Sequence, residues 1–286
     1  MTMNVLPRNP DLHCHSTASD GWLPPAEVVR RAYANGVDLL ALTDHDTLGG
    51  LDEALATAEA LGMQLVAGVE ISVSFANETV HIVGLGVDRF DAALNAGLAA
   101  LREGRQERAR RMGEALAEIG VPGIYEGALQ LAHNPEMVGR AHLARQIVAS
   151  GRMPDVGTVF RHYLAKGKPG YVEHQWARLE DAVGWIRGAG GVAVIAHPAR
   201  YRLDDIGMEH LFDRFLACGG EGVEVVSGSH TDDEVRRYAD IARRRGMLAS
   251  RASDFHGVEE SRIDLGLCPP LPDGLCLLYT SDAADE

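Results

Sequence analysis

The chain has 286 residues, 46% hydrophobic and 24% charged, with 27 Lys and Arg against 41 Asp and Glu for a formal net charge of −14. This is ordinary globular composition, long enough for one large domain or a domain carrying a smaller one, and it excludes disordered and fibrous classes. The acid excess argues against a surface for duplex nucleic acid, and no apolar run approaches the roughly 18 residues of a membrane span.

The first 88 residues alternate strand and helix. Pro24-Pro25 opens a helix whose apolar Val28, Val29, Ala32 and Tyr33 recur at helical spacing, and Asn35-Gly36 stops it. VDLLALT, residues 37–43, is a continuous apolar run ended by DHD and reads as a buried parallel strand. A second helix is expected from about Leu51 to Leu61, ended by Gly62, followed by β-branched strands over 64–73 and 79–87. From Phe90 to about Gly170 the pattern changes to arginine-rich helical periodicity, broken at Gly120–Pro122, Asn134-Pro135 and Gly151–Pro154. Strand character returns at 190–198, 222–228 and 246–254, with helices near 204–217 and 231–245. About 100 residues separate Val87 from Gly190, whereas a strand–helix–strand crossover takes roughly 30 to 40. The excess reads as a small helical insertion in an α/β barrel: barrel over 1–88, insertion over 89–177, barrel again over 178–275. The last eleven residues, CLLYTSDAADE at 276–286, resemble the translation of a sequencing adapter, so the natural chain is expected to diverge after about Leu275. The N-terminus shows no basic-plus-apolar signal, and a cytoplasmic location is expected.

The four cysteines are scattered with no C-x-x-C, which points to reduced core residues and not to a zinc knuckle or disulfide framework. The 12 histidines are more telling, because several sit beside carboxylates at strand ends. His13 and His15 form an H-x-H pair, which on a strand shares one face while Cys14 points away. LALTDHD ends in Asp44, His45 and Asp46, VAVIAHPAR carries His197, and ASDFHG carries Asp254 and His256. His81 opens HIVGLG, and Glu70 lies inside the apolar strand LVAGVEIS, where an unpaired carboxylate would cost several kcal/mol. In (β/α) barrels polar residues at strand C-termini face the active site. Five strand ends supplying His or carboxylate point to a metal centre, and mixed imidazole and carboxylate donors suit manganese, zinc or iron better than calcium.

Taken together, DLHCHSTASDGWLPP, LALTDHDTLGG, GVEIS, IAHPARY and SDFHG resemble the PHP family, named for polymerase and histidinol phosphatase domains, and within it the TrpH-like branch of metal-dependent phosphoesterases. The likeness runs to about Gly274 and includes GRAHLAR and YLAKGKPGYV in the insertion. It implies a distorted (β/α)7 barrel holding three divalent metal ions, manganese first among the candidates with zinc and iron as alternatives. By resemblance, His13, His15 and Asp254 hold one ion, Glu70 bridges to a second with His81 and His197, and Asp20, His45 and His256 take the third. A metal-bridging hydroxide is the nucleophile this implies, with neighbouring cations holding the phosphoryl oxygens.

The activity implied is removal of the 3′-phosphate from nucleoside 3′,5′-bisphosphates. For the remaining substrate contacts the candidates are Arg140 and His142 in GRAHLAR, Lys168 in KGKPG, Arg200 in HPAR, and Ser227 and Ser229 in VSGSH. Asp254 and Arg200 are expected at the reacting phosphate, with His230 placed to protonate the leaving oxygen. Asp44 and Asp46 are expected to orient imidazoles, and for Arg140 and Arg145 a solvated helix face stands as the alternative to a substrate contact. Three alternatives stand beside this reading. One is a 5′→3′ exonuclease on short RNA or DNA, since the same centre can cleave a diester. Another is an amidohydrolase, which would leave Asp20, His45 and His256 without a purpose. The last is a non-catalytic PHP module, which would be expected to have lost donors that this chain retains. Expected partners are therefore a small nucleotide or a short oligonucleotide, with neither duplex nucleic acid nor membrane.

Overall fold

The structure is a computed structural model describing residues 8–275; the tail expected at 276–286 lies outside the described residues. The barrel half that comes first contains β1 (Pro10–Asp11), α1 (Pro25–Ala34), β2 (Leu39–Leu42), α2 (Leu51–Leu61), β3 (Gln64–Phe75) and β4 (Glu78–Leu85). Helices α3 (Ala92–Glu118), α4 (Ile124–Leu131), α5 (Arg140–Ala149) and α6 (Val156–Val159) follow, the last running into a π-helical turn over Phe160–Leu164. The chain then returns through α7 (Leu179–Gly188), β5 (Val192–Ile195), α8 (Asp205–Ala217), β6 (Gly222–Ser227), α9 (Asp232–Arg245) and β7 (Leu248–Ala252). No described helix is long and apolar enough to cross a membrane.

Local chemistry explains the boundaries. Proline at the first turn of α1 costs no hydrogen bond, and Gly62 ends α2 in the left-handed conformation at φ 66° that glycine adopts freely. Helix α9 carries a complete capping box, Thr231 with Glu234, and three arginines in its last turn that complement the helix dipole.

The seven strands form one sheet in sequence order. Pairs β1–β2, β2–β3, β5–β6 and β6–β7 are parallel, while β4 runs antiparallel to both β3 and β5. The sheet curls until its ends meet: the N–H of Leu12 donates to Arg251 O at 3.0 Å, that of Asp254 to His13 O at 2.9 Å and that of His15 to Phe255 O at 2.8 Å. This is the distorted seven-stranded barrel that the family resemblance implies, with a hairpin and no helix between β3 and β4. Its interior is filled by Leu12, Leu39, Ala41, Val83, Leu85, Val194 and Ala196. A larger core lies outside, where Ile71, Val80 and Val223 meet Ile186, Phe212, Phe215 and Tyr238 of the covering helices.

Helix α3 is shared between two cores. Leu94, Leu98 and Leu101 pack in the barrel's outer core, whereas Ala109, Met112 and Leu116 pack with Ile124, Leu143, Ile147 and Leu164 of the helices that follow. The helix therefore runs continuously from the barrel's outer core into the core that it shares with α4 and α5.

Closure of the barrel leans on one buried cation. Arg251, 6% exposed, donates to the carbonyls of Pro10, Gly266, Cys268 and Pro269 and to Asn9 Oδ1, stapling β7 to both terminal segments. Replacing it with Met leaves those buried acceptors without a donor. We expect Arg251→Met to lower stability by about 3–5 kcal/mol, read as a shift in the urea unfolding midpoint.

Candidate metal centre

The mouth of the barrel brings all nine expected donors together around Glu70, which is 0% exposed. Its Oε2 lies 3.3 Å from His13 Nε2, 3.4 Å from His15 Nε2 and 2.7 Å from His45 Nδ1. Its Oε1 lies 2.8 Å from His81 Nδ1 and 3.0 Å from His197 Nε2. Asp254 Oδ1 closes one side, 3.6 Å from His13 Nε2 and 3.3 Å from His15 Nε2. Asp20 Oδ1 closes another, 4.0 Å from His15 Nδ1, 3.9 Å from His45 Nε2 and 3.5 Å from His256 Nε2.

The donors separate into three overlapping groups, each able to converge on one point: His13, His15 and Asp254; His45, Glu70 and His81; and His15, Asp20, His45 and His256. His15 and His45 thus present a nitrogen to each of two groups. His197, expected with Glu70 and His81, meets that group through Glu70 Oε1.

This donor set fits divalent cations. Ligand atoms about 2.0–2.2 Å from one ion stand roughly 3.0–3.5 Å from each other, the spacing around Glu70 and Asp254. His15 Nδ1, Asp20 Oδ1, His45 Nδ1, Glu70 Oε2, His81 Nδ1 and Asp254 Oδ1 are buried without an aligned hydrogen bond, although several lie within hydrogen-bonding distance of one another. Lone pairs that converge without a proton between them are what a cation would satisfy.

The electrostatics reflect this crowding of carboxylates and imidazoles. Burial pushes the Glu70 carboxyl up, but His45, His81 and His13 outweigh it and hold the group well below its ordinary value. Asp254 and Asp20 behave alike, held down against burial chiefly by His13 and His45 respectively. Burial, reinforced by the charge of His256, lowers His15 to about 3, and burial lowers His81 to about 4, so both imidazoles stay neutral at ordinary pH. For His45 and His13 burial is outweighed by the surrounding carboxylates, which raise His45 to about 9 and His13 well above its ordinary value.

Local backbone geometry delivers these side chains. Strand β1 ends at Asp11, so His13 and His15 stand just beyond it and not within a strand as expected; a single bridge from Cys14 to Phe255 keeps the segment extended, and their Nε2 atoms meet at 3.0 Å. Gly21 is required behind Asp20, because a Cβ there would meet His15 O at 2.5 Å. Asp46, His197 and Asp254 adopt positive φ of 47°, 25° and 54°, strain that concentrates at functional sites.

Several expectations are corrected. Asp44 orients no imidazole; it accepts from Ser16 N–H, Ser16 Oγ and Ser19 Oγ and so shapes the loop carrying Asp20. Asp46 accepts from Ser72 N–H and Oγ and pairs with Arg105 of α3. Arg145 lies not on a solvated face but buried over the Trp22 ring, with Nε and Nη2 on Glu260 at 2.8 and 2.7 Å and Nη2 also on Asp20 O at 2.7 Å.

The other expected contacts are spread around the mouth. Arg200 joins the cluster, its Nη1 donating to Asp254 Oδ2 at 2.5 Å. Ser227, Ser229 and His230 end β6, each with an unpartnered buried atom, and His230 Nδ1 donates to Val225 O at 3.0 Å. His142 is buried, and its Nδ1 accepts the N–H of Gly139 at the start of α5. Arg140 stands at the first turn of α5, 5.9 Å from the Phe160 ring. Lys168 is exposed, and its side chain makes no hydrogen bond or ion pair among the described residues.

Sequence reasoning missed Arg108 and Glu224. Arg108 is 6% exposed, donates through Nε to Val172 O at 2.9 Å and has no carboxylate partner among the described residues; burial, then the charge of Arg140, push it down to about 9. Nothing in its arginine-rich helix distinguishes it. Glu224 carried a visible signal, being a lone carboxylate in an apolar strand as Glu70 is.

Comparison with known proteins agrees with this geometry. The profile of the family described as PHP domain matches residues 11–187. A 3′,5′-nucleoside bisphosphate phosphatase from Chromobacterium violaceum is 54% identical over 264 residues, covering 92% of this chain and 93% of that protein. A 5′-3′ exoribonuclease from Haemophilus influenzae is 43% identical over 246 residues, covering 86% and 89%. A solved structure described as an amidohydrolase from Chromobacterium violaceum, with bound sulfate and no metal, superposes with a TM-score of 0.91 at 54% identity, covering 94% of each chain.

The Arg145 latch connects the insertion to the loops that carry Asp20 and Glu260. Arg145→Met should cost about 2–4 kcal/mol in chemical denaturation, because it leaves a largely buried carboxylate and a carbonyl unpaired.

Proposed function

This chain belongs to the PHP domain family, and from that premise we propose that it is a metal-dependent phosphatase taking the 3′-phosphate from nucleoside 3′,5′-bisphosphates to leave the 5′-monophosphate. The observation that carries this reading is the gathering of nine donors with Glu70 at their centre, five imidazoles on its two oxygens, together with Arg108 and Arg140, which have no carboxylate partner among the described residues. Relatives support it, foremost the bisphosphate phosphatase at 54% identity.

His13, His15, Asp20, His45, Glu70, His81, His197, Asp254 and His256 would hold three divalent ions, manganese in the first instance. Such ions supply Lewis acidity and an activated water at neutral pH. The protein's own groups do the rest. Arg200, held by Asp254, points a guanidinium at the phosphoryl oxygens, where charge grows during hydrolysis. His230 donates its Nδ1 proton to Val225 O, so Nε2 is the open ring atom through which a proton would be passed to the leaving 3′-oxygen. Ser227 and Ser229 offer hydroxyls at the same strand end.

The uncleaved phosphate needs separate cations. Arg140 and Arg108 are suited to it: the charge of Arg140 adds to burial in lowering Arg108, and neither pairs with a carboxylate among the described residues. His142 braces the turn that presents Arg140, and Lys168 can reach over from its exposed turn. A second reading, 5′→3′ cleavage of short oligonucleotides, is favoured by the Haemophilus relative. It would use the same cations on a 5′-terminal phosphate.

Protein purified in manganese should carry close to three equivalents and release phosphate from a nucleoside 3′,5′-bisphosphate faster than from histidinol phosphate; one equivalent, or no release, refutes the reading. Charge-assisted hydrogen bonds contribute about 1.5–3 kcal/mol and 1.36 kcal/mol is tenfold in rate. Arg140→Met should therefore lower kcat/KM on the bisphosphate about ten- to a hundredfold while sparing a nucleoside 3′-monophosphate, which lacks the second anionic group. Equal losses on both substrates would defeat the two-ended recognition.

A further inference from the structure

Glu224 lies in β6, 1% exposed, and both of its oxygens are engaged at the metal centre. Oε1 accepts from His13 Nδ1 at 2.5 Å, and Oε2 accepts from the backbone N–H of His197 at 2.6 Å. These two residues reach Glu70 from different sides, His13 Nε2 at 3.3 Å from Oε2 and His197 Nε2 at 3.0 Å from Oε1. His197 holds φ 25° and ψ 58°, a region that a non-glycine residue keeps only when its surroundings enforce it. A one-residue irregularity in the β6–β7 register begins at Glu224, as bulges beside active sites do when they re-aim a side chain.

We propose that Glu224 is a positioning residue of the metal centre: its single carboxylate holds His13 in the Nδ1–H tautomer and pins the strained backbone of His197, setting one imidazole on each oxygen of Glu70. The chemistry demands a carboxylate. Two donors converge on this side chain, and a carboxylate offers two acceptors and no donor. An amide of the same shape satisfies one donor and turns its own N–H toward the other. With Nδ1 protonated, the Nε2 lone pair of His13 is left for a cation, the arrangement by which outer carboxylates orient ligating histidines. The role rests on the metal-centre part of the proposed function and is independent of the substrate.

The test compares wild-type protein with Glu224→Gln, each stripped of metal and titrated with manganese while thermal stability and bound metal are measured. We expect the manganese concentration for half-maximal stabilisation to rise about ten- to a hundredfold in Glu224→Gln, with excess manganese restoring the wild-type metal content. A lower melting temperature in the metal-free state with unchanged manganese affinity would mean a merely structural role and overturn the proposal. Wild-type protein that takes up no manganese would instead refute the metal-centre reading itself. Should Glu224→Gln fail to fold, the ¹⁵N spectrum of histidine-labelled, zinc-loaded wild-type protein decides. His13 protonated at Nδ1 supports the role, and His13 binding metal through Nδ1 overturns it.

Discussion

A carboxylate without access to water has to be met by positive charge or by donors, and Glu70 imposes that requirement on the whole mouth of this barrel. Five imidazoles lie within 3.4 Å of its two oxygens, drawn from the segments after β1, β2 and β5 and from β4. No single helix or strand could supply them. The barrel matters because it closes the first strand segment against the last, so that His13 and Asp254 are bonded through their backbones before their side chains meet. Two of these imidazoles, His13 and His45, are raised by the carboxylates around them, so the negative charge gathered here already draws in positive charge, a demand that divalent cations would also meet.

The hairpin between β3 and β4 is the main departure from a regular (β/α) arrangement, and the centre depends on it. In a parallel barrel a residue near a strand's N-terminus belongs to the face opposite the active site. Because β4 runs antiparallel, His81 near its start pairs across from Ser72, two residues beyond Glu70 in β3, and sits at the functional rim. Ser72 in turn donates to Asp46, the residue that follows His45. The hairpin therefore joins three of the donor segments in one hydrogen-bonded unit.

An acidic chain that handles an anionic substrate must concentrate its cations locally. Helices α3 and α5 do this with arginine: Arg105 is anchored on Asp46 and stacks on Trp176, Arg145 is anchored on Glu260, and Arg108 and Arg140 have no carboxylate partner among the described residues. Through their carboxylate partners, Arg105 and Arg145 tie α3 and α5 to the loops that carry Asp46 and Glu260. Helix α3 makes the connection stiff, since one uninterrupted helix belongs to both hydrophobic cores.

Residue type and spacing alone carried much of this. Buried strands such as LLAL and the helix stop at Gly62 are visible because hydrophobic periodicity and left-handed glycines are local properties of the chain. The nine donors are visible because a carboxylate inside an apolar run, as at Glu70, demands a partner, and histidines gathered at strand ends supply one. The same reasoning applied to GVEVVSG would have found Glu224. What spacing could not show is which atom faces which. Asp44 and Asp46 flank His45 in sequence, yet they turn to serines and an arginine because those donors lie nearer in space. Arg145 and Arg108 share an arginine-rich composition with exposed neighbours, and only packing buries one on Glu260 and leaves the other unpaired. The sequence by itself determined the donor chemistry and the succession of strands. The tertiary structure alone decided the convergence, because strand direction and barrel closure, which bring residues 13, 81 and 254 to one carboxylate, are properties of long-range pairing and not of local pattern.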